Sequence, residues 1–208
     1  MIDKICNYIL QKMRKKMPEI DDEKAEVILY GIQLIIGEIP KIFIIFGLSI
    51  LFGIGWYMLF AYIVMIPYRA VSGGFHLKTH IGCIIGTSIF YFGNIFLSKA
   101  LMLQDMQKYI LIGITFIFGV IMISLYAPAD TENLPILSKK ERKIKKILSY
   151  IMLTITLLIA FFVKDSVISN ILIIGNLLQT MTITRIAYKI TNNKYGYETY
   201  KDDIELLN

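Results

Sequence analysis

Cysteine and histidine are scarce in this chain, which has two of each among its 208 residues. Cys6 and Cys83 lie far apart, so the sequence offers neither a disulfide framework nor the paired spacing of a zinc site. An early apolar segment is also missing, because the first one starts near Val27, after a charged region, and this argues against a cleavable signal peptide. No internal repeat or low-complexity tract is evident, which favours a single domain over an array.

Apolar residues are abundant, at 56% of the sequence, and the mean hydropathy is +0.61. The chain nevertheless keeps 22 Lys and Arg residues and a formal net charge of +6, so charge must be segregated from the apolar bulk. This composition is typical of a multi-pass membrane protein. The basic residues cluster beside hydrophobic segments, which favours a cytoplasmic membrane leaflet and not nucleic acid as their partner.

The first residues predict a basic amphipathic helix, over 2–17, that lies on the membrane surface. Pro18 ends this helix, and a charged link follows. The apolar face consists of Ile2, Ile5, Cys6, Ile9, Leu10, Met13 and Met17.

The predicted fold class is all-α, a polytopic membrane protein with six transmembrane helices after the surface helix. The predicted spans are 25–37, 42–66, 81–97, 109–126, 147–163 and 167–187, with a break at 38–41. The first is short for a hydrocarbon core that needs about 20 residues, so it is either tilted into other helices or partly inserted. The predicted domains are a cytoplasmic helix and link (1–24), a six-span membrane domain (25–188) and a cytoplasmic tail (189–208).

The distribution of Lys and Arg predicts the orientation. With six crossings and an internal N-terminus, eighteen of the 22 basic residues face the cytoplasm. Both termini and the loop before the third span are therefore predicted to be cytoplasmic.

That loop and the following helix start contain both histidines and Cys83, in the sequence from Pro67 to Ser88. A nucleophile, a base and exposed N–H donors are what an acyl-transfer site requires, and a glycine pair predicts a turn with uncovered amides. On a continuous helix His76 and Cys83 would be about 10.5 Å apart, so contact requires a loop that folds back over the helix start. There, unpaired N–H groups would favour a thiolate at Cys83, with His76 as its proton shuttle.

Other readings of these residues stay open at this point. His80 is a rival base, one helical turn before Cys83. A metal held by both histidines and the cysteine is a further alternative, although no nearby Asp or Glu completes the set. The third is that the cysteine is a small core residue and His76 an ordinary interfacial side chain.

The pattern Arg69-x-x-Ser72-Gly73-Gly74-x-His76, followed by Cys83, resembles the central motif of the accessory gene regulator B (AgrB) family, membrane cysteine peptidases of Gram-positive bacteria. A second stretch, from Tyr126 to Ile136 with a basic run after it, resembles the loop after the fourth span of that family.

The resemblance implies a cysteine endopeptidase that cuts an AgrD-like propeptide on the C-terminal side of its signal segment. Cys83 would be the nucleophile and His76 the general base, and an internal Cys or Ser of the peptide would close a thiolactone or lactone ring from a thioester. Support of the substrate or of the oxyanion would come from Arg69, Ser72, Gly73 and Gly74. The implied partners are the propeptide and the lipid bilayer, with no nucleic acid, no metal and no cofactor; a homodimer is an open alternative.

Several other residues carry two readings each. Arg69 is either a clamp for a peptide carboxylate or a positive-inside anchor, and the basic run at 139–146 is either a topology signal or an attractor for acidic peptide. Asp130 and Glu132 are candidates to orient His76, whereas Cys6 is expected to be inert. Gly82 and Gly86 form a small-xxx-small step that lets another helix approach. The competing functions are a peptide exporter without catalytic activity and a non-catalytic membrane scaffold or sensor.

Overall fold

The computed structural model describes residues 2–17, 19–77, 79–101, 103–132 and 134–206, and over these residues all regular secondary structure is helical. This confirms the all-α class. The helices are α1 (Ile2–Lys16), α2 (Asp22–Leu51), α3 (Gly55–Ser72), α4 (His80–Ala100), α5 (Asp105–Tyr126), α6 (Lys139–Phe162), α7 (Ser166–Thr182), α8 (Arg185–Ile190), α9 (Gly196–Thr199) and α10 (Lys201–Leu206). They fall into two compact units, Met1–Gly53 and Ile54–Asn208.

The first unit consists of α1 and α2, and α1 is the helix that the amphipathic pattern predicted. Its buried Leu10 packs with Ile20 and Ala25, so part of the apolar face meets protein. Contact of the remaining face with a membrane surface stays a prediction. At the start of α2 the Asp21 carboxylate accepts the Lys24 N–H at 2.8 Å, and this backbone hydrogen bond lowers the pKa of Asp21.

The predicted break at 38–41 is wrong, because α2 continues through these residues with Pro40 inside the helix. The Lys41 ammonium donates to the Glu38 carboxylate one turn away, so the two charges are paired within the helix. The break lies instead after Leu51, where Gly53 takes a φ of +65° that glycine adopts freely. The boundaries of the first two predicted spans shift accordingly.

Three helices are long and apolar enough to cross a membrane among the residues that the structure describes. They contain the stretches Ile81–Ala100, Asp105–Tyr126 and Lys139–Phe162, and Ser166–Thr182 is a shorter apolar helix. The last predicted span extended to residue 187, but α7 ends at Thr182 and Thr184 caps the next helix. The count of six crossings, their orientation and the domain limits stay predictions.

Helix α7 is central to the second unit, where it packs against α3, α4, α5 and α6. Amide side chains join the helices inside this apolar packing: Asn94 donates to the Ile171 carbonyl at 3.1 Å, and Asn170 donates to the Leu101 carbonyl at 2.9 Å. Such hydrogen bonds fix helices against each other where apolar contact alone is not directional. These two hydrogen bonds attach the N-terminal part of α7 to α4 and to the residue that follows it.

Candidate active site

The motif segment lies between the end of α3 at Ser72 and the start of α4 at His80. It turns at two glycines in conformations that other residues rarely adopt, with φ of +74° at Gly73 and +132° at Gly74. Space is also restricted, since a Cβ at position 73 would lie 2.3 Å from the Ala129 carbonyl oxygen. A Cβ at position 74 would lie 2.4 Å from the Arg69 guanidinium. The glycine pair is thus required by geometry on both counts.

The glycine turn is paired with the loop that follows α5, so the two sequence motifs meet in space. The Gly74 N–H donates to the Ala129 carbonyl and the Ala129 N–H donates to the Ser72 carbonyl, each at 2.9 Å. The Gly73 N–H donates to the Arg69 carbonyl at 3.0 Å. The expectation that the glycine amides are uncovered is therefore wrong, because both amides already have acceptors.

Arg69, in the last turn of α3, connects the turn to the end of α7. Its guanidinium donates to the Thr182 hydroxyl at 2.8 Å and to the Phe75 carbonyl, and it lies 6.0 Å from the centre of the Phe75 ring. Bidentate donation of this kind suits a planar guanidinium. Arg69 thus joins the motif loop to the end of α7, while its roles as a carboxylate clamp or a positive-inside anchor stay predictions.

Ser72 is fully buried and belongs to the same support. Gln179, on the last turns of α7, donates its amide to the Ser72 hydroxyl at 3.0 Å and to the Gly73 carbonyl at 2.9 Å. Gln179 and Thr182 were not among the predicted site residues, although they are polar residues near the end of an otherwise apolar stretch. That contrast is the signal that could have found them.

His76 lies in the irregular segment before α4 and is exposed. Its carbonyl oxygen accepts a hydrogen bond from the Asn193 amide at 2.9 Å. Leu77 follows and packs over α4, since a Cβ at Gly82 would lie 3.6 Å from Leu77 Cβ, and one at Gly86 would lie 2.7 Å from Leu77 Cδ1. The loop therefore folds back over the start of α4, and the two glycines admit a loop side chain where a second helix was expected.

Cys83 lies in the first turn of α4, as the pattern predicted. Thr79 caps this helix by accepting the Gly82 N–H at 3.0 Å, and the Cys83 N–H donates to the Thr79 carbonyl at 2.9 Å. Cys83 forms no disulfide and is half-buried. His76 and Cys83 thus flank the same helix start, while proton transfer between them stays a prediction.

The remaining alternatives concern His80 and metal binding. His80 begins α4, but its side chain lies outside the described residues, so the rival-base reading is not tested. Within the described part of the chain, no three His, Cys, Asp or Glu side chains form a group that could hold a metal ion.

The loop of the second motif is built around Asp130, whose side chain is fully buried. Its carboxylate accepts hydrogen bonds from the Arg142 guanidinium at 2.8 Å, the Ile136 N–H at 2.9 Å and the Tyr197 N–H at 3.3 Å. A buried carboxylate is stable only when it is paired in this way. These contacts give Asp130 and one member of the basic run a structural role. The orienting role proposed for Asp130 and Glu132 remains a prediction.

The residues after α7 pack on this loop instead of forming a plain tail. Tyr188 donates its hydroxyl to the Ala129 carbonyl at 2.8 Å and stacks on Tyr195 at 4.0 Å between ring centres. Tyr195 donates to the Ile183 carbonyl at 2.8 Å. Burial raises the pKa of both tyrosines, because it disfavours their charged form. This contact was not predicted from the sequence.

Comparison with known proteins bears on the same residues. The family model of AgrB, accessory gene regulator B, matches residues 3–183. A "Putative AgrB-like protein" of Listeria welshimeri is 26% identical over 202 residues, covering 96% of this chain and 95% of that protein. An "Accessory gene regulator protein B" of Staphylococcus epidermidis is 26% identical over 196 residues, covering 94% and 97%. No solved structure matches. With both motifs joined in one site and the family match spanning most of the sequence, the chain belongs to the accessory gene regulator B family.

Proposed function

We propose that this chain is a membrane-embedded cysteine endopeptidase that cuts an AgrD-like propeptide through a thioester on Cys83. The family is generally one of peptidases, with a role in processing autoinducing peptides. The observation that carries the proposal is the fold-back of the His76 loop, which Leu77 secures over the glycines beside Cys83.

Catalysis begins with transfer of the Cys83 thiol proton to His76. The thiolate attacks the carbonyl carbon of the scissile peptide bond, and the electron pair of that carbonyl moves to its oxygen. Collapse of this intermediate breaks the C–N bond, and the imidazolium gives its proton to the leaving amine. The products are the C-terminal fragment of the propeptide and an acyl-enzyme thioester.

The oxyanion is held at the start of α4. Gly73 and Gly74 do not supply the donors through their N–H groups, because these bind Arg69 and Ala129. The first amides of a helix have no acceptor within that helix, and their dipoles favour negative charge. The amides of His80 and Ile81 occupy these positions.

Ring closure follows when an internal Cys or Ser of the bound peptide attacks the thioester. Its proton passes to His76, the new thiolactone or lactone bond forms, and the Cys83 thiolate leaves. The proposal also includes six crossings of the cell membrane, with both termini and the active site on the cytoplasmic side. Arg69, Ser72, Gly73 and Gly74 act by holding the loop that bears His76.

The test is propeptide cleavage by detergent-purified protein in a Cys6→Ala background, which leaves one cysteine. Cys83→Ala and His76→Ala should each abolish cleavage at unchanged protein level, and His80→Ala is the matched control. Retained cleavage by Cys83→Ala would refute the proposal, and so would cleavage retained by both His76→Ala and His80→Ala. Loss with His80→Ala but not with His76→Ala would move the base to His80.

The same assay separates the competing functions. Detergent permits no transport, so cleavage there excludes a pure exporter. A scaffold or sensor predicts no cleavage at all. It also predicts that a thiol-reactive probe labels Cys83 no faster than Cys6 in the protein that keeps both cysteines.

A further inference from the structure

The backbone of the motif loop is held almost residue by residue from Ser72 to His76. Carbonyl groups of Gly73, Phe75 and His76 accept hydrogen bonds from side chains of Gln179, Arg69 and Asn193, in that order. The Phe75 N–H also donates to the Thr182 carbonyl at 3.4 Å. The contact from Asn193 is the last of this series before the chain turns toward α4. It is also the one made on His76 itself.

Asn193 is pre-organised for this contact by its own turn. Its N–H donates to the Tyr188 carbonyl at 2.9 Å, and the preceding Asn192 adopts a φ of +52°. Its amide nitrogen lies 2.9 Å from the His76 carbonyl, 3.1 Å from the Thr191 carbonyl and 2.9 Å from the Thr191 hydroxyl. Two of these three acceptors are carbonyl oxygens, which cannot donate, so the orientation of the amide is fixed by its surroundings.

Hydrogen bonds attach the backbone turn that contains Asn193 to the loop of the second motif. Tyr188 donates to the carbonyls of Ala129 and Asp130, and Asp130 is locked by Arg142. The support of Asn193 is therefore continuous with the loop that pairs with Gly73 and Gly74. Asn193 also lies beyond residue 183, where the family match ends.

We propose that Asn193 is a positioning residue for the catalytic base: by holding the His76 carbonyl it sets the place of the imidazole relative to Cys83. This inference rests on the proposed function, because it assumes that His76 activates Cys83. Small displacements of a catalytic group reduce rates steeply, by about 100-fold for roughly 1 Å in unfavourable cases. Loss of one neutral hydrogen bond allows a smaller displacement, and we expect an effect of about tenfold.

The experiment is a double-mutant cycle that measures alkylation of Cys83 by iodoacetamide at pH 7, in the Cys6→Ala background. Alkylation forms the S–C bond and releases iodide, and its rate depends on the thiolate fraction. Asn193→Asp keeps the size of the side chain but removes the donor. Asn192→Gly is the matched control, because it changes the same turn, tolerates the positive φ and leaves the donor in place.

Asn193→Asp should slow alkylation about tenfold when His76 is present and should have no effect on the His76→Ala background. Single-turnover cleavage should fall by a similar factor, with the half-saturating propeptide concentration unchanged. Asn192→Gly should match the parent protein in both assays. If Asn193→Asp does not accumulate in membranes, Asn193→Ala replaces it with the same expectations.

Alkylation at the parent rate in the Asn193 variant would overturn the inference. So would an equal slowing with and without His76, because that pattern indicates a general structural role. If His76→Ala itself leaves alkylation unchanged, the pairing of His76 with Cys83 fails, and the proposed function fails with it. The two failures are thus distinguishable in one set of measurements.

Discussion

Replacing Gly73 by alanine should disable the site without disturbing the helices. The new Cβ would lie 2.3 Å from the Ala129 carbonyl oxygen, which is backbone and cannot swing aside. The φ and ψ of +74° and −148° belong to a region that is essentially restricted to glycine. The local turn must therefore open.

The expected loss of cleavage rate can be worked out from the strain and from the hydrogen bonds that are lost when the turn opens. Holding alanine in this conformation would cost about 1–3 kcal/mol. Opening the turn instead gives up the hydrogen bonds of Gly74 and Ala129 across the bridge, each with a net contribution of about 0.5–1.5 kcal/mol. The two hydrogen bonds together contribute about 1–3 kcal/mol, and a loss near the middle of this range, about 2 kcal/mol, corresponds to about 30-fold in the equilibrium between ordered and open loop, and hence in cleavage rate.

The assay compares Gly73→Ala with Gly113→Ala, which makes the same chemical change in the middle of α5. A Cβ at position 113 would meet nothing within 4 Å, so this variant should cleave propeptide at the parent rate. Both variants should reach the membrane at equal levels on an immunoblot. Cleavage by Gly73→Ala within about threefold of the parent protein would refute the reasoning, because the clash and the strain would then have no consequence.

Three further predictions concern the supports of the loop. Asp130→Asn leaves Arg142 without its buried partner and should lower the free energy of unfolding of the purified protein by roughly 3 kcal/mol, measured by thermal unfolding. An unchanged melting temperature would contradict this prediction. Arg69→Lys replaces a two-pronged donor by a single ammonium and should lower cleavage about tenfold at normal protein level; full activity would contradict the positioning role. Burial raises the pKa of Tyr195 and Tyr197. Packing of the C-terminal segment should therefore be stable below the ordinary tyrosine pKa near 10 and should be lost as the pH rises through the higher pKa values of the folded state. An ultraviolet titration that matches free tyrosine would contradict this prediction.

Much of the fold could be predicted because apolar periodicity and charge reveal helices directly. The basic amphipathic start of the chain gave α1, and the apolar runs gave the long helices of the second unit. The errors arose where local signals compete. Pro40 with two charged neighbours looked like a helix end, but pairing of Glu38 with Lys41 lets the helix continue, and Gly53 ends it.

The candidate site was predictable only in part, because its chemistry is local but its support is not. The positions of His76 and Cys83 around a helix start follow from the glycines and the renewed apolar run. By contrast, Gln179, Thr182 and Asn193 reach the motif across more than a hundred residues of sequence. Their polar character marks Gln179 and Thr182 as candidates, but a single sequence does not report what these residues contact. The same is true of the bridge to Ala129, which occupies amides that the glycine pattern left open.

The anchors of the motif loop are widely spaced along the chain, at Ala129, Thr182 and Asn193. During translation the ribosome releases Ala129 first, Thr182 next and Asn193 after both. A nascent chain can insert its early helices well before this, yet its loop would lack the contacts that order it. The loop should thus become ordered only after Asn193 has emerged and packed against it, and any activity that depends on the ordered loop should appear after that point.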